Sequence, residues 1–204
     1  MKHPSLFLSI LLATVICACQ SAPKEPAVPT PMDMEAMMAK MMELATPGAE
    51  HQELMRDAGT WDSAYKMRMA PDAPWTEFRG SATCRPLLDG RYLWQDVEWS
   101  MPDPMSGQMM PMKAFQILGY GKMSNEYTAL WADAWSTWMI TSRGKRDARG
   151  VLNMSGTMRD AAGERPFRME IREDGADQRH ITMCDTIPPQ GEVVVMEIAQ
   201  KRRK

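Results

Sequence analysis

Three kinds of side chain in this sequence are able to carry chemistry: thiols, thioethers, and aromatic rings set beside a carboxylate. Among the thiols Cys19 has the most telling surroundings. It follows Lys2, an apolar run from Leu6 to Ile16 and a small Ala18, the order required of a signal cleaved just before a cysteine whose sulfur is then acylated. The run is too short to span a bilayer as a stable helix. Cleavage there discards Cys17 and leaves Cys84 and Cys184 as thiols in an oxidising compartment, which permits a bridge if the fold lets them meet. The thioethers come next, because the chain holds 22 methionines. Met101, Met105 and Met109 fall at regular four-residue spacing, with Met110 and Met112 behind them, and thioethers are soft ligands that select Cu(I). Pro102, Pro104, Gly107 and Pro111 interrupt any helix that would align those sulfurs, so a general methionine bias is the better account of the run.

The third group is Trp61, Tyr65, Phe78, Trp131 and Asp133. Strand alternation puts all five on one face, and an apolar lining with one carboxylate suits a small amphipathic ligand that offers a hydrogen-bond donor. The competing reading is a packed interior in which Asp133 is bonded to a neighbouring backbone group or Tyr hydroxyl. Conventional catalysis has little to work with. Of three histidines, His3 is lost with the signal; His51 has no second histidine near it and His180 opens a strand, so no zinc pattern forms. Gly119-Tyr120-Gly121-Lys122 lacks phosphate-loop spacing, and Ser155-Gly156 lies within a strand rather than at a nucleophile elbow. No catalytic set, resident cofactor or His/Cys/Asp/Glu metal site is expected.

The elements that must position these groups can be read from periodicity. Residues 1–18 form the signal and residues 19–31 a spacer with prolines at 23, 26, 29 and 31, which favours extended polyproline II. Its reach, at about 3.1 Å per residue, is roughly 35–40 Å. Residues 32–58 form a helical segment. Met34, Met37, Met38, Met41 and Met42 give the stripe of an amphipathic helix from Met32 to Leu44, closed by Pro47-Gly48, and a short second helix runs from Glu50 to Arg56. The methionine stripe is expected to lie across a barrel mouth or on a partner.

From Gly59 to the end, residues 59–204, the period changes to two. Trp61, Ser63, Tyr65 and Met67 alternate with charged and polar residues, and Phe78, Gly80, Ala82 and Cys84 repeat the pattern. Asp89-Gly90 is a hairpin signal. A loop is expected over Met101 to Met112, then strands near 113–121, 126–135, 137–145, 150–159, 166–173, 178–186 and 192–201. Successive strands with no helical period between them are best satisfied by an all-β, up-and-down antiparallel barrel of about ten strands, preceded by one or two short helices. A two-sheet sandwich is the alternative. In the barrel, the second and ninth strands are held apart by the first and tenth, so Cys84 and Cys184 stay unbridged.

Removing the signal costs only Lys2 among the charges, leaving 23 of the 24 basic residues against 26 acidic ones. Nucleic-acid binding is not expected of so balanced a chain, whose one basic cluster is Lys201-Arg202-Arg203-Lys204 at its end.

Several short motifs occur in order: Met41-Met42-Glu43-Leu44-Ala45-Thr46-Pro47-Gly48, Glu50-His51, Gly59-Thr60-Trp61, Gly90-Arg91-Tyr92-Leu93, Gly119-Tyr120, Trp131-Ala132-Asp133 and Met154-Ser155-Gly156-Thr157-Met158. Together they resemble the bacterial domain-of-unknown-function family 1579, over nearly everything from Met34 to Lys201. The resemblance implies no settled activity. Gly59-x-Trp61 is also similar to the start of lipocalins and other calycin barrels, which implies that Trp61 plugs one end. The expectation is a barrel tethered to the membrane through a lipid on Cys19, on the periplasmic face of the outer membrane, that binds a small apolar or amphipathic molecule. A non-catalytic envelope protein with a filled barrel is second, and Cu(I) handling through the Met101–Met112 loop third.

Overall fold

The computed structural model describes residues 33–103, 105–161 and 163–204. The signal, Cys19 and the proline-rich spacer lie outside the described residues. Two helices, α1 (Met34–Ala45) and α2 (Ala49–Met55), precede ten strands: β1 (Gly59–Met67), β2 (Thr76–Leu87), β3 (Tyr92–Pro102), β4 (Met109–Gly121), β5 (Glu126–Asp133), β6 (Ile140–Arg146), β7 (Leu152–Asp160), β8 (Gly163–Glu173), β9 (Gln178–Ile187) and β10 (Gly191–Arg202). Each strand pairs antiparallel with the next, and β10 closes on β1, so the sheet has no free edge. The barrel expected from the period-two pattern is therefore present, and the sandwich is not.

Burial follows the alternation strand by strand. In β1, Trp61, Ser63 and Tyr65 are buried between exposed Asp62, Ala64 and Lys66; in β3, Leu93, Gln95 and Val97 alternate with less buried neighbours. The outer wall carries ion pairs such as Lys66–Glu77 at 3.1 Å and Lys113–Glu98 at 3.0 Å, the opposite of the apolar band of a membrane-spanning barrel. Inside, the interior divides in two. The larger core, around Leu54, Trp61, Leu93, Leu118, Leu152 and Met154, fills the end nearest α2. Full burial of Leu93, Leu152 and Met154 contributes about 1.5–3 kcal/mol each. A smaller cluster of Tyr65, Phe78, Met101 and Met112 lies toward the other end.

Three elements differ from what periodicity predicts. The expected loop over Met101 to Met112 is strand at both its ends: Met101 pairs with Met110 and Pro102 with Met109, so β3 runs on to Pro102 and β4 begins at Met109. Pro102 and Pro111 are tolerated because they sit at the last residue of β3 and near the start of β4. The strand expected from 137 begins only at Ile140, because Asp133 caps a turn at Trp135 and Ser136. Finally, α1 does not cover the open mouth. It buries no residue, and it is attached at the α2 end through Lys122, whose ammonium donates to the carbonyls of Glu43 (2.7 Å) and Thr46 (3.0 Å).

Candidate functional site

The end of the barrel beside α2 is closed by Trp61. Its indole N–H donates to the Asp57 carbonyl at 2.9 Å, and the guanidinium groups of Arg179 and Arg202 lie 4.4 and 4.3 Å from its ring centroid. Arg202 also donates to the carbonyls of Ala58 and Arg56, both at 2.6 Å, so the last strand is laced to the junction between α2 and β1. The sequence expectation for Trp61 as a plug matches this geometry, which removes it from the wall of any cavity. From α2, Leu54 is buried in the same core, and His51 is buried with its Nδ1 accepting from the Gly48 N–H at 3.0 Å. His51 is thus a helix cap, and His180 is an exposed residue 3.2 Å from Asp174.

Above the plug lies a buried polar floor. Arg179 is 4% exposed and donates to the Asp57 carboxylate and to Gln200 Oε1, while the Gln200 amide donates to Ser63 Oγ at 2.8 Å. Burial raises the Asp57 carboxyl above its ordinary range in spite of the Arg179 charge. It also pushes up the Cys84 thiol and the Tyr65 hydroxyl. Cys84 and Cys184 are both buried and unbridged, as the strand order demands.

Toward the open end the lining is apolar and soft. Tyr65 and Phe78 stack at 4.9 Å with an 8° interplanar angle, packed with Met101 and Met112. Trp99 joins this cluster to the larger core and lies 6.3 Å from Trp131. Its inward position was legible in the alternation of β3, yet it is absent from the five expected residues. Asp133 is spent locally: Oδ2 accepts from the Trp131 indole at 2.8 Å and Oδ1 from the Trp135 and Ser136 N–H groups, both at 3.0 Å. It therefore closes a turn and fixes Trp131, with three of its lone-pair sites engaged by these neighbours. Side chains that face inward from the middle of strands, among them Trp131, Ile181, Met183 and Met196, are only half buried. In a barrel filled to core density they would be out of solvent altogether, so water reaches between the walls of this half.

The evenly spaced methionines do not converge. Met101 is 4% exposed inside the barrel, Met105 is 95% exposed at a turn, and Met109 lies one residue out of phase with Met101's partner Met110, on the outer side. Among the described residues no group of three or more His, Cys, Asp or Glu side chains is placed to hold a metal ion. A groove of about 480 Å³ runs over the outer wall, floored by Ala64 and Ala199 and rimmed by Arg79, Arg172 and His180 with Lys66, Glu77 and Glu197. Its rim mixes both signs of charge and selects no ligand class.

A ten-stranded closed meander, plugged at one end by a short helix and a tryptophan under two arginines and open toward a half-buried lining at the other, is a calycin-like barrel. The chain belongs to the family described as protein of unknown function (DUF1579), which matches residues 46–202. Among solved structures, the S-type phycobiliprotein lyase CPES from Guillardia theta is similar, with a TM-score of 0.52 and 11% identity over 80% of this chain and 97% of that one. At that identity the likeness shows a shared fold. No curated protein matches the sequence.

Proposed function

We propose that this protein is a lipid-anchored carrier of the cell envelope, tethered through acylated Cys19 on the periplasmic face of the outer membrane, that holds one small apolar or amphipathic molecule in its barrel. The observation that carries this reading is the half-buried state of inward-facing side chains in the open half, set above a polar floor of Arg179, Gln200 and Ser63. An amphipathic ligand would place its polar end toward that floor and its apolar body among Tyr65, Phe78, Trp99 and Trp131. The fold shared with the lyase supports a lumen of this kind without naming its contents. The signal at residues 1–18 and the spacer at residues 19–31 supply location and stand-off.

Native mass spectrometry of the protein purified from the envelope tests the proposal. A stoichiometric organic mass is expected, retained by the wild type and lost on Trp131→Ala. A bare polypeptide mass after incubation with envelope lipid extract would refute it. A second reading, a docking protein, is favoured by one observation: Met34, Met38, Met41 and Met42 of α1 are 50–66% exposed, with no cover among the described residues.

A further inference from the structure

The strand register assembles a feature that spacing along the chain conceals. Met67 of β1 pairs with Met196 of β10, Met196 with Met183 of β9, Met183 with Met169 of β8, and Met169 with Met154 of β7. Five methionines from five neighbouring strands thus stand side by side on the inner wall, each about 4.8 Å from the next along the hydrogen-bonding direction. Because strands tilt in a barrel, the row descends as it turns, from Met67 at the open end to Met154, 1% exposed, in the closed core. Met67, Met169, Met183 and Met196 are half buried; Met67 and Met196 pack against the smaller cluster toward the open end and Met169 against the larger core.

The row depends on an irregularity. The β9–β10 register shifts between Val194 and Met196, so that Val194 opposes Cys184 and Met196 opposes Met183. Had the Val194–Cys184 register continued without the bulge, Val195 would oppose Met183 and Met196 would face Thr182, breaking the row at its centre; leaving Val195 out of the pairing keeps Met196 on Met183. The bulge is held by Arg68, whose backbone N–H donates to the Val195 carbonyl at 3.0 Å and whose Nε donates to the Val194 carbonyl at 2.7 Å.

We propose that this belt is a binding site for a soft monovalent metal cation of the Cu(I) class, held by the thioethers of Met67, Met196 and Met183, with Met169 beside them. The inner wall of a barrel is concave, so side-chain tips on neighbouring strands lie closer than their Cβ atoms, and methionine's flexible chain lets three sulfurs meet one ion. A carboxylate stands next to the belt: Asp185, two residues beyond Met183 on the same face, is 4% exposed. Its Oδ2 is paired with Arg165 at 2.6 Å, while its Oδ1 is buried without a hydrogen-bond partner. A cation nearby would relieve that oxygen's unmet desolvation. Uptake involves no change of oxidation state, and thioethers carry no proton to displace, so affinity is independent of pH between 5 and 8, unlike a thiolate or imidazole site.

The test is titration of the purified protein with Ag(I), a redox-inert stand-in, and with Cu(I) against a chromogenic Cu(I) chelator, using methionine labelled with 13C in the methyl group. One ion per chain is expected, with shifts of the Met67, Met183 and Met196 methyl signals and no dependence on pH. Met183→Leu/Met196→Leu nearly conserves volume and is expected to weaken binding about tenfold or more for each thioether removed. Met67→Leu, at a strand end, gives the same direction of change if the double variant folds poorly. Cys84→Ala/Cys184→Ala is expected to bind as the wild type does. Failure to compete with the chelator, unchanged affinity in the leucine variants, loss in the cysteine variant, or shifts confined to Met34–Met42 would each overturn the site. An organic mass in the lumen of a protein that takes no Ag(I) would overturn the metal site and leave the carrier reading standing.

Discussion

Replacing Arg179 by methionine removes the one buried cation that faces Asp57 and Gln200 while leaving much of its aliphatic volume. The Asp57 carboxylate would remain in a site only 19% exposed at its side chain, with Arg202 as its strongest remaining attraction. Breaking a buried pair from one side costs about 3–5 kcal/mol, and the residual exposure of Asp57 places this case at the low end, about 3 kcal/mol near pH 7. For a domain of this size that is a fall in Tm of roughly 6–12 °C. The pH dependence has a definite sign. The folded-state carboxyl of Asp57 is already raised above its unfolded value, so the stability it contributes is fully present below the unfolded pKa and is lost as pH rises through the folded one. Losing Arg179 removes the largest opposing attraction and steepens that loss, so the penalty shrinks as pH falls and Asp57 takes up its proton. Arg179→Met/Asp57→Asn leaves no orphan charge and is expected to recover to within about 1 kcal/mol of the wild type. Urea denaturation followed by tryptophan fluorescence at pH 7 and pH 4 measures all three proteins. A double variant no more stable than the single one, or a penalty equal at both pH values, would refute the electrostatic account of the floor.

Further outcomes follow from geometry. A Cβ on Gly144 would lie 1.7 Å from the Asn153 carbonyl oxygen across β6 and β7, a clash no rotamer relieves; Gly144→Ala is expected to destabilise by about 3 kcal/mol or more in the same denaturation assay. Met105→Ser, at a 95% exposed turn, is expected to change stability by less than about 0.5 kcal/mol, and an equal loss to that of Met183→Ala would contradict the inward belt. Cys84 and Cys184 are buried thiols whose ionisation burial disfavours, so labelling by a thiol reagent near pH 7 is expected to be slow until urea unfolds the barrel. Deleting residues 1–46 removes no buried side chain of α1, and the barrel is expected to keep its unfolding midpoint to within about 1 kcal/mol of stability.

Local alternation alone determined a good deal of this protein. A period of two needs no tertiary information, because successive side chains must point to opposite faces, and it placed Trp61, Tyr65, Phe78, Cys84 and Trp131 inside. Strand number and the closed meander followed from short turns and the need to satisfy edges, and the separation of Cys84 from Cys184 followed from strand order. What one residue meets across the barrel was decided elsewhere. Asp133, read from alternation as a cavity carboxylate, spends Oδ1 on the turn at Trp135 and Ser136 and shares Oδ2 with the Trp131 indole, and Met101, Met105 and Met109 looked like a set until strand ends sent them to the interior, a turn and the outer wall. The methionines that do stand together, Met67, Met196, Met183, Met169 and Met154, are scattered over more than a hundred residues of chain. Only the hydrogen-bond register, with a single-residue bulge at Val195, brings them into one row, and register is a property of paired strands rather than of any one of them.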